Sequence, residues 1–464
     1  MTSKPISCII DLFIAFERIG MMKIQLSDHF TYGKLIRFTL PSIAMMIFTS
    51  IYGVVDGFFV SNYVGKTPFA AVNFIWPFLM VLGAFGFMFG TGGSALVAKT
   101  LGEGDREKAN RIFSFLIYIS IACGIVITVL GILFIRPVAS LLGAEGEMLE
   151  NCVVYGRIIL LTMTPYMLQM EFQSFFITAE RPTLGLVVTV ASGVTNMVLD
   201  YLLVAVIPMG LVGAALATAL SQAVGGFTSL AFFIRPRKKS LLQLTSTKFD
   251  GKVLLKTCTN GSSELMSNIS MSLVGMLYNV QLINYAGENG VAAYGVLMYV
   301  SMIFIAIFIG YSIGSAPLIG YNYGASNVSE LKNLLKKSFW IIGVTSACML
   351  GLSFLLAVPL SRIFVGYDAE LFDMTVRGFY VYAFSFIFCG VAIFGSSFFT
   401  ALNDGLTSAL ISFLRTLVFQ IVAVIALPII FGIDGIWYSV VVAELMSFAV
   451  TLLFIVIKRA KYKY

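Results

Sequence analysis

Two carboxylates stand where apolar membrane segments normally carry none. Asp56 lies in "IFTSIYGVVDGFFV", and Asp200 lies in "SGVTNMVLDYLL" with Asn196 four residues before it. An ionisable residue inside such a run is expensive in lipid, so a functional role is its default reading. The four-residue spacing puts Asn196 and Asp200 on one face of a helix. Thr218 adds a hydroxyl in the next apolar run. Two carboxylates, an amide oxygen and a hydroxyl are hard oxygen donors, which suit Na⁺. They equally suit a proton, because two close carboxylates in a low dielectric do not both stay ionised. The chemistry is cation binding, and these residue types leave Na⁺ and H⁺ open. For Thr218 alone, a helix-packing hydrogen bond is an equal alternative.

The elements that must position these groups are membrane helices. The 464 residues are 59% hydrophobic and 11% charged, with a mean hydropathy of +0.94. A soluble protein carries roughly 25% charged residues. The deficit runs along the whole chain, which predicts an all-α polytopic membrane protein. The short alternating segments of a β-barrel are missing. We read twelve apolar segments near 35–60, 70–98, 112–135, 151–178, 183–207, 210–234, 258–284, 290–322, 338–360, 375–401, 405–430 and 434–457, here called spans 1 to 12.

Lysine and arginine set the orientation. They crowd one set of connections, above all Arg235, Arg237, Lys238, Lys239, Lys248, Lys252 and Lys256, while the opposite set has little beyond Lys66, Arg136 and Arg362. Both termini are therefore expected to be cytoplasmic. The net charge of +7 is this topology signal and implies no nucleic acid. The six cysteines are scattered, with no CxxC or Cys/His cluster, so neither a metal centre nor a disulfide framework is expected. The one histidine, His29, precedes span 1 and reads as interfacial. No P-loop, HExxH or nucleophile elbow is present, which argues against an enzyme or an ATP-driven pump.

The chain repeats itself at a shift of about 222 residues. "NYVGKTPFAAV" (62–72) matches "NYAGENGVAAY" (284–294), "SFFITA" resembles "SFFTA", and Gly210 and Gly213 fall on Gly432 and Gly435. Each half holds an even number of spans, so the halves are parallel six-helix repeats around a central cavity. The expected organisation is an N-terminal segment 1–30, a lobe 31–234, a basic cytoplasmic linker 235–257 and a lobe 258–464. Segment 1–30 reads as interfacial, or as a start placed upstream of Met21 and Met22.

The repeat breaks where the chemistry lies. Asp56 corresponds to Tyr278, Asn196 and Asp200 to Val418 and Val422, and Thr218 to Val440. At 1.5 Å per residue, Asp56, Asp200 and Thr218 share a level roughly 6–12 Å below the outer surface. Arg415 and Glu444 sit near mid-depth and are expected to form a buried ion pair, structural or gating in role. Met45, Met163, Met197, Tyr278 and Glu171 (the last between Gln169 and Gln173) are candidates for the wall of a deformable substrate cavity. Ordinary helix packing competes with that reading for each methionine. Glu264 reads as solvated near the inner start of span 7.

"LPSIAMMIFTSIYGVVDGFFVSNYVG", "TGGSALVAKTLGEGD" and "TNMVLDYLLV" followed by "GLVGAALATALSQ" resemble the MATE family of multidrug and toxin extrusion transporters. The likeness covers about residues 30–457 and is strongest to the bacterial branch with a cation site in the N-terminal lobe. It implies that Asp56, fifteen residues after Pro41, joins Asn196, Asp200 and Thr218 in that site, with Pro41 as a hinge. It implies an antiporter in the bacterial plasma membrane that expels amphipathic, often cationic compounds in exchange for Na⁺ or H⁺, without other cofactors. We expect a monomer in contact with membrane lipids and small-molecule substrates. A flippase for lipid-linked precursors is the alternative. Its pyrophosphate would call for a basic cavity, and the spans hold few internal Arg or Lys. An integral-membrane enzyme would need clustered catalytic groups, and a channel leaves the repeat unexplained.

Overall fold

A computed structural model describes residues 24–235 and 240–464, apart from the side chains of Lys66 and Glu288. Most of the expected interfacial segment, residues 1–23, and residues 236–239 of the basic connection lie outside the described residues.

Twelve helical crossings follow one another. Span 1 is Tyr32–Phe59, continued by a π-helical turn Val60–Val64; span 2 is Lys66–Gly102 and span 3 Arg106–Leu141. Span 4 is split into Gly146–Leu161 and Met163–Thr178; span 5 is Pro182–Asp200 with a π-helical turn Tyr201–Val206; span 6 is Gly210–Ile234. Spans 7 and 8 lie within Gly251–Gly324 and are separated by a kink at Gly287. Span 9 is Val328–Val365, and span 10 combines Ala369–Tyr382 with Ser385–Ala401, bent by 49°. Span 11 is Gly405–Phe413, a π-helical turn Leu414–Val418 and Phe419–Phe431, and span 12 is Ile433–Tyr462. Nine described helices are individually long and apolar enough to cross a membrane, and the bent pair of span 10 makes ten. Spans 4 and 7 escape that test for different reasons. The break at Thr162 divides the first, and the second opens with the polar turns "GKVLLKTCTNGSSE". Span 7 therefore begins at Gly251 rather than 258, its first turn capped by the Asp250 carboxylate on the Lys252 and Val253 N–H groups.

The backbone repeats as the sequence does. Gly65 and Gly287 stand in the left-handed region, and so do Gly210 and Gly432, each pair 222 residues apart. They turn the chain between equivalent spans, where a side chain would be strained. Asp105 and Asn327, at the same spacing, cap spans 3 and 9 through the N–H groups of Lys108 and Glu330.

The halves meet along spans 1, 2, 7 and 8 with glycines at the crossings. A Cβ at Gly92 would strike the Thr257 carbonyl, and one at Gly261 the Met88 carbonyl. Gly310 rests on the backbone of Ser42 and Ile43 in span 1. Such contacts let helix backbones approach closely in lipid. Inside the first half, Phe113, Phe172, Phe175 and Phe233 bind spans 3, 4 and 6 together. Phe113 and Phe175 lie 4.8 Å apart edge-on, and Phe172 and Phe233 stack at 5.1 Å.

The connection after span 6 is not a loose tether where it is described. Residues 240–245 run along span 3, whose side chains at four-residue intervals hold them. Arg106 donates to the carbonyls of Ser240 and Leu241, Asn110 Oδ1 accepts from the Gln243 N–H at 2.8 Å, and Ser114 Oγ accepts from the Thr245 N–H at 2.8 Å. Leu242 is fully buried beneath this ladder.

Candidate functional site

Spans 1, 5 and 6 bring the four oxygen-bearing residues together. Gly193 of span 5 leaves room for the rings of Phe48 and Tyr52, which seats span 1 on span 5. Gly213 of span 6 rests on the Leu203 carbonyl, which closes the hairpin from span 5 to span 6. Ser192 Oγ then donates to the Ser221 carbonyl at 2.7 Å and fixes the register. Asp56 and Asp200 each stand within one turn of a π-helical turn. Such turns displace the backbone ladder and are frequent at functional sites.

Asp56 Oδ1 accepts from Thr218 Oγ1 at 3.3 Å and from Asn196 Nδ2 at 3.5 Å. Asp200 is fully buried, with its carboxylate within hydrogen-bonding reach of Asp56. Neither Asp200 oxygen, nor Asn196 Oδ1, has a hydrogen-bond partner among the described residues. No basic side chain pairs with Asp56 or Asp200 among the described residues. A buried and a half-buried carboxylate without a counter-charge cost several kcal/mol. The donor set therefore fits a bound cation or a shared proton.

Tyr155 is a member that sequence reasoning missed. It is 1% exposed, and its ring stands near Thr218 and in electrostatic reach of both aspartates. An aromatic in an apolar run looks like core, and only the folded contact reveals it. Among the described residues, no group of three or more His, Cys, Asp or Glu side chains stands ready to hold a metal.

The second half holds a different constellation. A cavity of about 290 Å³ is lined by Tyr278, Tyr294, Glu264, Arg415 and Glu444, among others. Arg415 Nε donates to both Glu444 oxygens, at 3.1 and 2.9 Å. The Tyr278 hydroxyl donates to Gln420 Oε1 at 2.8 Å, and its ring stacks on Tyr294 at 5.2 Å. Glu264, expected to be solvated, belongs to this cavity wall. The methionines lie elsewhere. Met45 is buried against Gly185 of span 5, and Met163 is buried with Leu160 and Met167 in helix packing. Met197 is half-buried, and none of the three lines this cavity. Glu171, expected on a vestibule wall, is fully enclosed because Gly90 of span 2 packs on its backbone. Pro41 is buried within span 1 and leaves the Arg37 carbonyl without its i+4 donor, though the helix runs through. His29 does not stand free at the interface. Its Nδ1 meets Glu330 Oε2 at 2.6 Å.

Known proteins share the sequence pattern and the fold. The MatE family pattern fits residues 41–202 and 265–425. The multidrug export protein MepA of Staphylococcus haemolyticus is 26% identical over 413 residues, covering 89% of this chain and 90% of its own. That of Staphylococcus saprophyticus is 25% identical over 425 residues, covering 92% and 93%. Among solved structures, an outward-facing multidrug resistance MATE transporter of the MOP superfamily superposes with a TM-score of 0.88 at 22% identity, covering 96% of this chain and 99% of that one. A MOP superfamily transporter from Pyrococcus furiosus superposes at 0.87 and 22%, with the same coverage. Both halves of the chain are matched in each comparison, and the twelve crossings follow the two-lobe architecture of those structures. The chain belongs to the MatE family of membrane transporters.

Proposed function

We propose that this secondary transporter exports amphipathic, often cationic drugs and toxins in exchange for Na⁺ or H⁺, by alternating access, with both termini cytoplasmic. The observation that carries the coupling is the unpartnered carboxylate of Asp200 beside Asp56. Asp56, Asn196, Asp200 and Thr218 would hold the coupling ion, which is cargo of the cycle. The ion supplies the missing positive charge and allows spans 1, 5 and 6 to close on one another. Its departure leaves two facing carboxylates, whose repulsion favours parting of those spans. A ligand shifts such an equilibrium only by its differential affinity for the two states, and this charge imbalance provides one. Glycine contacts seal the lobes on the lysine- and arginine-rich face, an arrangement that suits a cavity opening to the other side.

A precursor flippase is less well supported, because the cavity wall contains one arginine and no lysine. The two readings separate in proteoliposomes loaded with a fluorescent cationic dye. Export driven by an imposed Na⁺ gradient or by an imposed pH gradient, each applied alone, identifies the coupling ion. Absence of export under both gradients would overturn the proposal.

A further inference from the structure

We propose that the cavity of the second half contains a carboxylate-binding subsite at Arg415, suited to zwitterionic aromatic amphiphiles. The inference rests on the export reading for its physiological meaning, but its geometry stands apart from the coupling site.

Arg415 spends little of its binding capacity on the protein. A guanidinium offers five N–H donors in a planar fork. Only Nε is used, shared between the two oxygens of Glu444. The four N–H bonds of the two terminal nitrogens find no acceptor among the described residues. The side chain is 16% exposed and lines the cavity. A pair that served packing alone would engage the terminal fork, which is the strong bidentate geometry. Here the side-on contact with Glu444 neutralises Arg415 while leaving the fork unspent. The π-helical turn Leu414–Val418 carries Arg415, and such turns recur at functional sites.

The rest of the wall specifies the solute further. Glu264 lies in electrostatic reach of Arg415, and its carboxylate has no hydrogen-bond donor among the described residues. The wall then holds one positive and two negative side chains. A plain anion would deepen that imbalance, whereas a zwitterion can place its carboxylate on the Arg415 fork and its ammonium toward Glu264. Tyr278 and Tyr294, parallel to within 2°, and the apolar Met271 and Ile309 supply surfaces for an aromatic body. A volume of about 290 Å³ accommodates a bicyclic ring with a short chain.

The test uses ε-dansyl-lysine, which is zwitterionic, and its methyl ester, which differs only in lacking the carboxylate. Binding to the full chain in lipid nanodiscs is followed by dansyl fluorescence, with no gradient present. The natural protein is expected to bind the zwitterion about tenfold more tightly than the ester. Arg415→Gln combined with Glu444→Gln removes both charges together and leaves no orphan. In that variant the ratio should collapse to within about twofold. Arg415→Lys keeps the charge but loses the fork, and should also lower the ratio. Equal binding of the two probes by the natural protein, or a ratio that survives both variants, would overturn the proposal. A retained ratio in a protein that fails to export under any gradient counts against the transport reading and supports the subsite.

Discussion

Gly102 and Gly324, 222 residues apart in sequence, cross one another as symmetry mates. Gly102 lies against the carbonyl of Tyr321, and Gly324 lies against the carbonyl of Lys99. The same helix position therefore meets itself across the pseudo-two-fold axis, at the ends of spans 2 and 8. No side chain fits on either side of this contact. Gly102→Ala or Gly324→Ala should force the two helices apart and destabilise the closed crossing by roughly 1–3 kcal/mol, the usual range for overpacking. Gly351→Ala is the control, since a Cβ there meets nothing within 4 Å; its effect should be neutral or stabilising by up to about 1 kcal/mol. Thermal unfolding in detergent reads both. Equal melting temperatures for all three variants would refute the role of this crossing.

The segment before span 1 ties the two halves together on the same face. The Leu26 N–H donates to Glu180 at 2.9 Å, while the Phe30 N–H donates to Glu330 at 2.9 Å. His29 and Asn333 also bond to Glu330, and Lys337 donates to the Phe30 carbonyl at 2.5 Å. Glu330→Ala removes the acceptor of the Phe30 N–H, His29 and Asn333 and should cost about 1–3 kcal/mol. It should also speed cross-linking of a cysteine pair placed across the two halves on the opposite face. Unchanged stability and unchanged cross-linking would show that the strap does not restrain the lobes.

Stability should depend on Asp404 at acid pH. Burial opposes its charge, but the Tyr462 hydroxyl at 2.8 Å, the Thr407 N–H and Lys458 at 3.2 Å outweigh it. The carboxyl is held below the usual aspartate range. A depressed folded value gives stability that is present above the unfolded value and is lost as pH falls through the folded one. Asp404→Asn should therefore lower the melting temperature near neutrality. The gap between the natural protein and the variant should close as pH falls below about 4. A gap that is constant with pH would contradict this assignment.

Tyr155→Phe removes the hydroxyl near Thr218 without opening a cavity. The expected result is weaker binding of the coupling ion by roughly five- to tenfold, the worth of one hydrogen bond. Melting temperature should change little. Ion-concentration dependence of export is the measurement, and an unchanged half-saturation would exclude Tyr155 from the site.

Much of this arrangement is legible in the sequence because its signals are local or periodic. Apolar runs reveal the spans, and the 222-residue shift reveals the two halves. The spacing of Asn196 and Asp200 places both on one helix face. Other features depend on tertiary contacts that no spacing encodes. Tyr155 reaches Thr218 only because spans 4 and 6 pack together. Met45 and Met163 are buried in helix packing, Met45 against Gly185 and Met163 among the apolar residues of spans 2 and 4. Pro165 announces the break at Thr162, but no proline lies within the π-helical turns after Asp56 and Asp200. The unspent fork of Arg415 follows from side-chain geometry, which depth along a helix does not specify.

In the proposed cycle the Asp56–Asp200 pair couples export to a cation. Asp56→Asn and Asp200→Asn should each leave dye binding intact in purified protein and abolish gradient-driven export from proteoliposomes. Each variant removes one of the two facing charges, so the ion no longer separates the two states of the site. Dye accumulation indistinguishable from the natural protein in both variants, under the gradient that drives it, would contradict a coupling role for this pair.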